Sequence, residues 1–284
     1  MIYSIITPTK NEGLYIEQTI QSVINQTVLP AEWMIMDDDS TDNTYAIIEK
    51  YRQLHPFINY IKLYDFRPEL RNTGGRVAAI MNHADSLRSE AVHLLAKIDA
   101  DTSFGSDFFD SITREFKNDA ALGIASGRLV ENGIPETIKD WTSGRGASLI
   151  IRYDCFLDIG KFFVSKTRGE DDLAFIATRA LGWKSRTFDI WFNHLKPEGI
   201  RKSKLQNHYV TGFYKGSVPY WLPFFLGNVA RDVFRKPFLL GAVLQLYGYC
   251  LSRYVLRYQP FPLFVSRQLW KEQKIKISKR IGLY

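Results

Sequence analysis

Residues 92–103 read VHLLAKIDADTS. An apolar run of the kind that fills a buried strand ends at two aspartates, Asp99 and Asp101, with one alanine between them. Residues two apart in a strand point to the same face. If strand geometry runs to the end of the stretch, the two carboxylates converge. Carboxylates that close repel each other unless a cation or hydrogen-bond donors lie between them. Oxygen ligands suit Mg²⁺ or Mn²⁺, and Mg²⁺ usually completes its shell with waters and substrate phosphates. The plainer alternative is a turn, with Asp101 capping a following helix. The pair alone does not decide between them.

Working outward, the first half alternates strand-like and helix-like stretches. YSIITP is a short apolar run before Pro8. NEGLYIEQTIQSVINQT places Leu14, Ile16, Ile20, Val23 and Ile24 near helical spacing. AEWMIMDDDS is a second strand running into acids, and the helix after it has Ser40 and Thr41 as candidate N-caps. INYIKLYDF predicts a third strand, GGRVAAIMNHADSL a helix, VHLLAKIDAD a fourth strand and SDFFDSITREFKND another helix. This rhythm predicts an α/β fold, with a mainly parallel sheet flanked by helices. In open parallel sheets ligands bind beyond the carboxyl ends of the strands. That rim collects Thr7–Glu12, Asp37–Asp39 and Asp99–Asp101.

ITPTKNEG, then MIMDDDSTDNT, then KIDAD, in that order on successive strand ends, resemble the family-two inverting glycosyltransferases of the GT-A, nucleotide-diphospho-sugar fold. The likeness is strongest over residues 1–105. It implies a GT-A (Rossmann-like) domain over 1–215, with 1–105 as the nucleotide-binding half and 106–215 as the acceptor half. It also implies that Thr7, Pro8, Asn11, Glu12, Asp37 and Asp38 hold base and ribose, with Asp38 on a uracil-like ring nitrogen. Asp39 stands where the family usually has glycine. Asp99 would face the ribose or the metal shell, and Asp101 would ligate Mn²⁺ or Mg²⁺. Arg67, Arg71 and Arg76 are candidates for the diphosphate, since guanidinium pairs well with phosphate. Arg76 ranks first because Gly74–Gly75 allow close backbone approach.

In the second half, RGEDDLAFIATRALGW opens a helix with Glu170, Asp171 and Asp172, where the helix dipole favours carboxylates without any catalytic role. The resemblance adds a role: an aspartate of a Glu-Asp pair at this stage of the chain is the general base, here Asp171 beside Glu170. The base takes the proton of an acceptor hydroxyl as it attacks the anomeric carbon, in a single inverting displacement. Gly146 and Ala147 match an acceptor-side loop, with Gly144, Arg145 and Trp141 nearby. His194 occupies the place of a late metal-ligating histidine, and His208 is its competitor. The segment with Gly212, Tyr214 and Gly216 resembles the region that follows catalysis in transferases acting on membrane-linked glycans. The QxxRW pattern of processive synthases is absent, which implies one sugar added per encounter.

The net charge of +7 is unevenly spread. Residues 196–284 hold 16 Lys and Arg against 3 Asp and Glu, a balance of +13, and the remainder carries −6. A basic block of this kind seeks a polyanion such as an anionic membrane surface, diphosphate groups or nucleic acid. The uncharged stretches 216–230 and 237–252 fall short of the roughly 20 apolar residues that span a bilayer. They fit either interfacial helices or the core of a small helical subdomain over 216–284. No leader pattern is visible, and two cysteines, Cys155 and Cys250, give no metal spacing, which fits a reducing cytosol. The 14% aromatic content suits sugar-binding or interfacial surfaces.

The reading is therefore an inverting, metal-dependent glycosyltransferase. It takes a nucleotide-diphospho-sugar, with UDP-sugars favoured, and serves a saccharide or lipid-linked acceptor in surface polysaccharide assembly. It works in the cytoplasm at the inner face of the membrane and has no nucleic-acid partner. The alternatives are an inactive binding protein on the same scaffold and a sugar nucleotidyltransferase. The latter wants a Gly-rich first loop that TPTKNEG lacks. A Rossmann dehydrogenase is excluded because no GxGxxG follows the first strand.

Overall fold

The computed structural model describes residues 1–70, 75–131, 133–164, 169–196, 204–218, 220–234, 238–257 and 261–280. The chain divides into two compact units. One comprises residues 1–72, 76–164 and 170–197, and the other comprises 73–75, 165–169 and 198–284. A division at residue 215 would fall inside a helix of the second unit.

The first unit is a mixed α/β domain. Its strands are β1 (Tyr3–Thr9), β2 (Glu32–Asp37), β3 (Ile58–Lys62), β4 (Leu94–Ile98), β5 (Thr102–Phe104), β6 (Leu122–Glu131), β7 (Ile134–Pro135), β8 (Ser148–Arg152) and β9 (Lys184–His194). They form one sheet in the order β3-β2-β1-β4-β8-β6-β9-β5, with β7 on β6. Strands β3, β2, β1 and β4 run parallel. The parallel run stops where β8 inserts antiparallel between β4 and β6. β6 and β9 pair in parallel again, and β5 closes the edge antiparallel to β9.

The helices of this unit are α1 (Ile16–Ile24), α2 (Thr44–Arg52), α3 (Gly75–Leu87), α4 (Phe108–Asn118), α5 (Tyr153–Asp158) and α6 (Glu170–Ala180). The i, i+3/i+4 spacing of α4 puts Phe108, Phe109, Ile112 and Phe116 on one buried face. Each such side chain contributes roughly 1.5–3 kcal/mol on burial. β1 and β2 are buried on both faces, as parallel strands under helices must be. Three expectations shift. The N-cap of α2 is Asn43, not Ser40 or Thr41. Leu14 precedes α1 and is exposed. The three-residue β5 separates β4 from α4, so Asp101 caps no helix.

The second unit is helical: α7 (Lys204–Ser217), α8 (Leu222–Asp232), α9 (Phe238–Cys250), a π-helical turn over Leu251–Val255, and α10 (Leu263–Arg280). α7 and α9 approach closely. A Cβ at Gly212 would lie 2.6 Å from the Gln245 carbonyl carbon, and one at Gly216 would lie 2.9 Å from the Tyr249 Cα. The 216–230 and 237–252 stretches thus supply helices with a buried face, including Phe225, Val229, Ala242 and Tyr249. α9 also leaves Phe238, Leu239, Leu240, Val243 and Tyr247 exposed. Among the described residues, no helix is long and apolar enough to cross a membrane.

Candidate functional site

The parallel register aligns Thr9 with Asp37, which brings the loops after β1 and β2 side by side. Backbone and side chains lace them together. The Asp38 N–H donates to the Thr9 carbonyl (2.8 Å). Asn11, at φ 53°, receives the Thr41 N–H on its side-chain oxygen (2.8 Å), and its own N–H donates to Ser40 Oγ (2.9 Å). Glu12 N–H donates to Thr44 Oγ1 (2.9 Å), and Gly13 N–H to Asp42 Oδ2 (3.0 Å). The polar cluster in TKNEG and DDDSTDNT therefore builds a rigid double loop. Asp39 sits at φ 61°, which is the left-handed conformation that a glycine at that position would satisfy without strain.

Asp37 is fully buried. It accepts from Ser40 N–H (2.8 Å) and the Tyr60 hydroxyl (2.5 Å). Burial and the neighbouring Asp37 push the Tyr60 phenol up. Asp38 is held by Arg76, which grips it with both Nε (2.5 Å) and Nη2 while Nη1 donates to the Phe66 and Arg67 carbonyls. Arg76, expected at the diphosphate, is thus committed to Asp38. Arg67 pairs with Glu69 at 2.6 Å, and Arg71 lies outside the described residues. Pro8 is half-buried on β1. The Thr7 side chain is completely buried and accepts from the Trp33 indole at 2.9 Å, so its hydroxyl braces the sheet.

At the end of β4 the strand stops at Ile98, one residue before the first aspartate. Thr102 Oγ1 then closes a turn on the Asp99 carbonyl (2.7 Å). The alternation that would align Asp99 with Asp101 breaks at this turn, and the two carboxylates have different partners. Asp99 joins Lys97. Lys97 is 4% exposed, and its ammonium lies 3.2 Å from Asp99 Oδ1, 3.6 Å from Asp171 Oδ1, and donates to the Gly146 carbonyl at 2.9 Å. Burial alone would lower the Lys97 pKa, but Asp171, Asp99 and Glu170 outweigh it and hold the amine charged. Glu170 and Asp171 open α6, with exposed Asp172 beside them.

Burial raises the Asp171 carboxyl. Lys97 opposes this, and Asp99 and Asp172 add to it. Asp171 Oδ1 has no hydrogen-bond partner among the described residues. Gly146 is in contact with this group: a Cβ there would fall 2.7 Å from Oδ1 and closer still to Oδ2. The glycine expected to admit an acceptor makes room for Asp171, and Ala147 beside it accepts the Asp99 N–H (3.3 Å).

Asp101 turns the other way. Its Oδ2 lies 3.3 Å from His194 Nε2, while His194 Nδ1 bonds the Lys196 carbonyl (2.9 Å) and the Leu195 N–H returns to the Asp101 carbonyl (2.7 Å). Lys196 in turn bonds Glu12 at 2.7 Å, and Glu12 Oε2 is a buried acceptor that takes no hydrogen bond among the described residues. Burial raises both the Glu12 and the Asp101 carboxyls. Among the described residues no three His, Cys, Asp or Glu side chains cluster as a complete ligand set. Asp101 Oδ2 and His194 Nε2 nevertheless lie side by side, 3.3 Å apart. This fits a divalent cation that takes its remaining ligands from water and substrate phosphate. Asp99, expected in that set, is drawn off by Lys97.

A cavity of about 260 Å³ is lined by Gly127, Arg128, Lys139, Gly144 and Arg145, among others. Arg145 pairs with Glu136 through Nε (2.8 Å) and Nη2. Trp141 is exposed. His208 belongs to the second unit, where Gln245 Nε2 contacts its Nδ1 at 2.9 Å. Sequence reasoning missed Lys97. The signal was present, since Lys97 lies two residues before Asp99 and so on the same strand face.

The glycosyl transferase family 2 model matches residues 4–208. The chondroitin synthase of Pasteurella multocida (strain Pm70) is 28% identical over 200 residues, covering 57% of this chain and 19% of that protein. The chain thus spans about a fifth of the length of that relative. Among solved structures, S. aureus TarS 1–349 in complex with UDP-GlcNAc matches with a TM-score of 0.60 at 16% identity, covering 99% of this chain and 92% of that one. The mannosyltransferase PcManGT from Pyrobaculum calidifontis, in complex with GDP-Man and Mn²⁺, matches at 0.57 and 15% identity, covering 99% and 79%. These likenesses establish the GT-A fold.

Proposed function

This chain belongs to glycosyl transferase family 2, and from that premise we propose that it transfers a sugar from a nucleotide-diphospho-sugar to a saccharide hydroxyl with inversion, using Asp171 as general base. One observation carries the reading. Asp171 stands over Gly146 next to the carboxyl end of β4, with Oδ1 ion-paired to Lys97 at 3.6 Å and accepting no hydrogen bond among the described residues.

The double loop of Asn11, Glu12, Asp37 and Asp38 holds the nucleoside, with Arg76 fixing the Asp38 carboxylate toward the base. UDP is the favoured nucleotide, a choice supported by the TarS complex with UDP-GlcNAc. Asp101 and His194 would hold Mn²⁺ or Mg²⁺, which when bound supplies positive charge to the diphosphate leaving group. Asp171 accepts the proton of the incoming hydroxyl as the new glycosidic bond forms. Its raised carboxyl is a stronger base than an ordinary aspartate, and the Lys97 ammonium opposes that rise by favouring the ionised form. Asp99 and Glu170 add to the negative field that keeps Lys97 charged. The acceptor is a saccharide or lipid-linked saccharide of a surface polymer. The enzyme works at the cytoplasmic face, with the basic helical unit against an anionic membrane surface, and needs no nucleic acid.

The test is UDP release from a UDP-sugar. Asp171→Asn should lose about 10²–10⁴-fold in turnover while binding UDP as wild type does. Near wild-type turnover would move the base elsewhere.

A further inference from the structure

The helical unit contains a cavity of about 390 Å³ lined by Lys215, Tyr220, Phe224, Asn228, Arg231, Leu269, Glu272, Gln273 and Lys276. Three cations from three helices, α7, α8 and α10, reach its wall. Two carboxylates stand near. Glu272 accepts from Gln268 at 2.8 Å. Asp232 takes Arg231 at 3.5 Å on one oxygen and Gln245 at 3.2 Å on the other. Lys215 lies over the Tyr220 and Phe225 rings at 5.7 and 5.9 Å. Burial lowers its pKa, with Asp232 opposing and Arg231 adding.

A second observation points to a ligand. Gln273 is 3% exposed, and its Oε1 accepts the Trp221 N–H at 2.8 Å. That bond fixes the amide, and the opposite end, Nε2, is a buried donor with no acceptor among the described residues. An unsatisfied buried donor costs about 1–3 kcal/mol, which an oxygen anion in the cavity would relieve.

We propose that this cavity binds a phosphate group, with Lys215, Arg231 and Lys276 balancing its charge and Gln273 Nε2 donating to one of its oxygens. Cations arriving from three helices suit a tetrahedral group with several charged oxygens better than a planar carboxylate. Tyr220, Phe224 and Leu269 receive the apolar or glycerol part of a phosphate ester. The same chemistry is offered by a phospholipid headgroup and by a soluble phosphate ester. The site stands whether or not the chain transfers a sugar.

The test uses the full chain with excess UDP present, so that the nucleotide site does not report. Co-sedimentation is measured with vesicles of phosphatidylglycerol in phosphatidylcholine and of phosphatidylcholine alone, and glycerol 3-phosphate is titrated calorimetrically. Lys215→Gln removes the half-buried cation. Lys276→Gln removes an exposed one and so leaves the fold intact, as its thermal melt will verify. Each should weaken binding about tenfold, the scale of one charge-assisted bond. Lys279→Gln, an exposed cation on α10 outside the cavity, should change it less than twofold, on the order of a surface charge. Binding confined to phosphatidylglycerol vesicles identifies a lipid headgroup, and saturable glycerol 3-phosphate binding identifies a soluble ester. Absence of binding to both probes overturns the proposal, as does equal loss in Lys276→Gln and Lys279→Gln.

Discussion

Gly146 and Asp171 occupy each other's space: a Cβ on residue 146 would fall 2.7 Å from Asp171 Oδ1 and closer to Oδ2. The glycine is needed for closeness, not for an unusual backbone angle. A methyl group here meets the end of a movable side chain, so the fold survives and the carboxylate shifts. Gly146→Ala should lower turnover about 10²-fold, the scale of an ångström misplacement of a reacting group. UDP affinity and the melting temperature should stay near wild type. A variant with full turnover would remove Asp171 from the chemistry.

Lys97 ties Asp99, Asp171 and the Gly146 carbonyl together from inside the sheet. Lys97→Met removes the group that holds the Asp171 carboxyl down against burial. The base is active when ionised, so activity falls as pH drops through its pKa. That acidic limb already lies above the ordinary aspartate range of about 3.9, and in Lys97→Met it should move to higher pH, with turnover lower at every pH. An unmoved limb would make Lys97 a packing residue only.

Arg76 and Asp38 form a buried ion pair, and Arg76 also anchors the Phe66 and Arg67 carbonyls. Removing one partner strands the other charge. Arg76→Ala should therefore destabilise the protein by about 3–5 kcal/mol, read as a lower denaturation midpoint, and should weaken UDP binding. Unchanged stability would show that Asp38 finds water instead.

His194 contributes a nitrogen next to Asp101 at 3.3 Å. His194→Ala should raise the Mn²⁺ concentration needed for half-maximal UDP binding about 10-fold, within the range measured when supporting groups of metal sites are removed. Metal-free UDP binding should not change. An unaltered Mn²⁺ requirement would leave His194 as a structural partner of Asp101 and the Lys196 carbonyl.

The parallel half of the sheet was legible because period-two and period-3.6 patterns alternate cleanly from Tyr3 to Leu87. β8 was not, since an antiparallel insertion between β4 and β6 is a fact of pairing, and SLIIR carries no mark of its neighbours. β5 is three residues long and gives no period to read. The site residues were visible as types, but their partners were not. Asp99 and Asp101 look equivalent in IDAD, and only the turn closed by Thr102 sends one to Lys97 and the other to His194. The Thr7 bond to Trp33 spans 26 residues, so ITPTKNEG gives no sign of it.

The most direct test is calorimetric titration of UDP, with and without Mn²⁺, into wild type, Asp101→Ala and Asp171→Asn. Mn²⁺-dependent binding is expected in wild type, with its loss in Asp101→Ala and its retention in Asp171→Asn. UDP binding that ignores both Mn²⁺ and Asp101, or no binding to the wild-type protein, would contradict the proposed site.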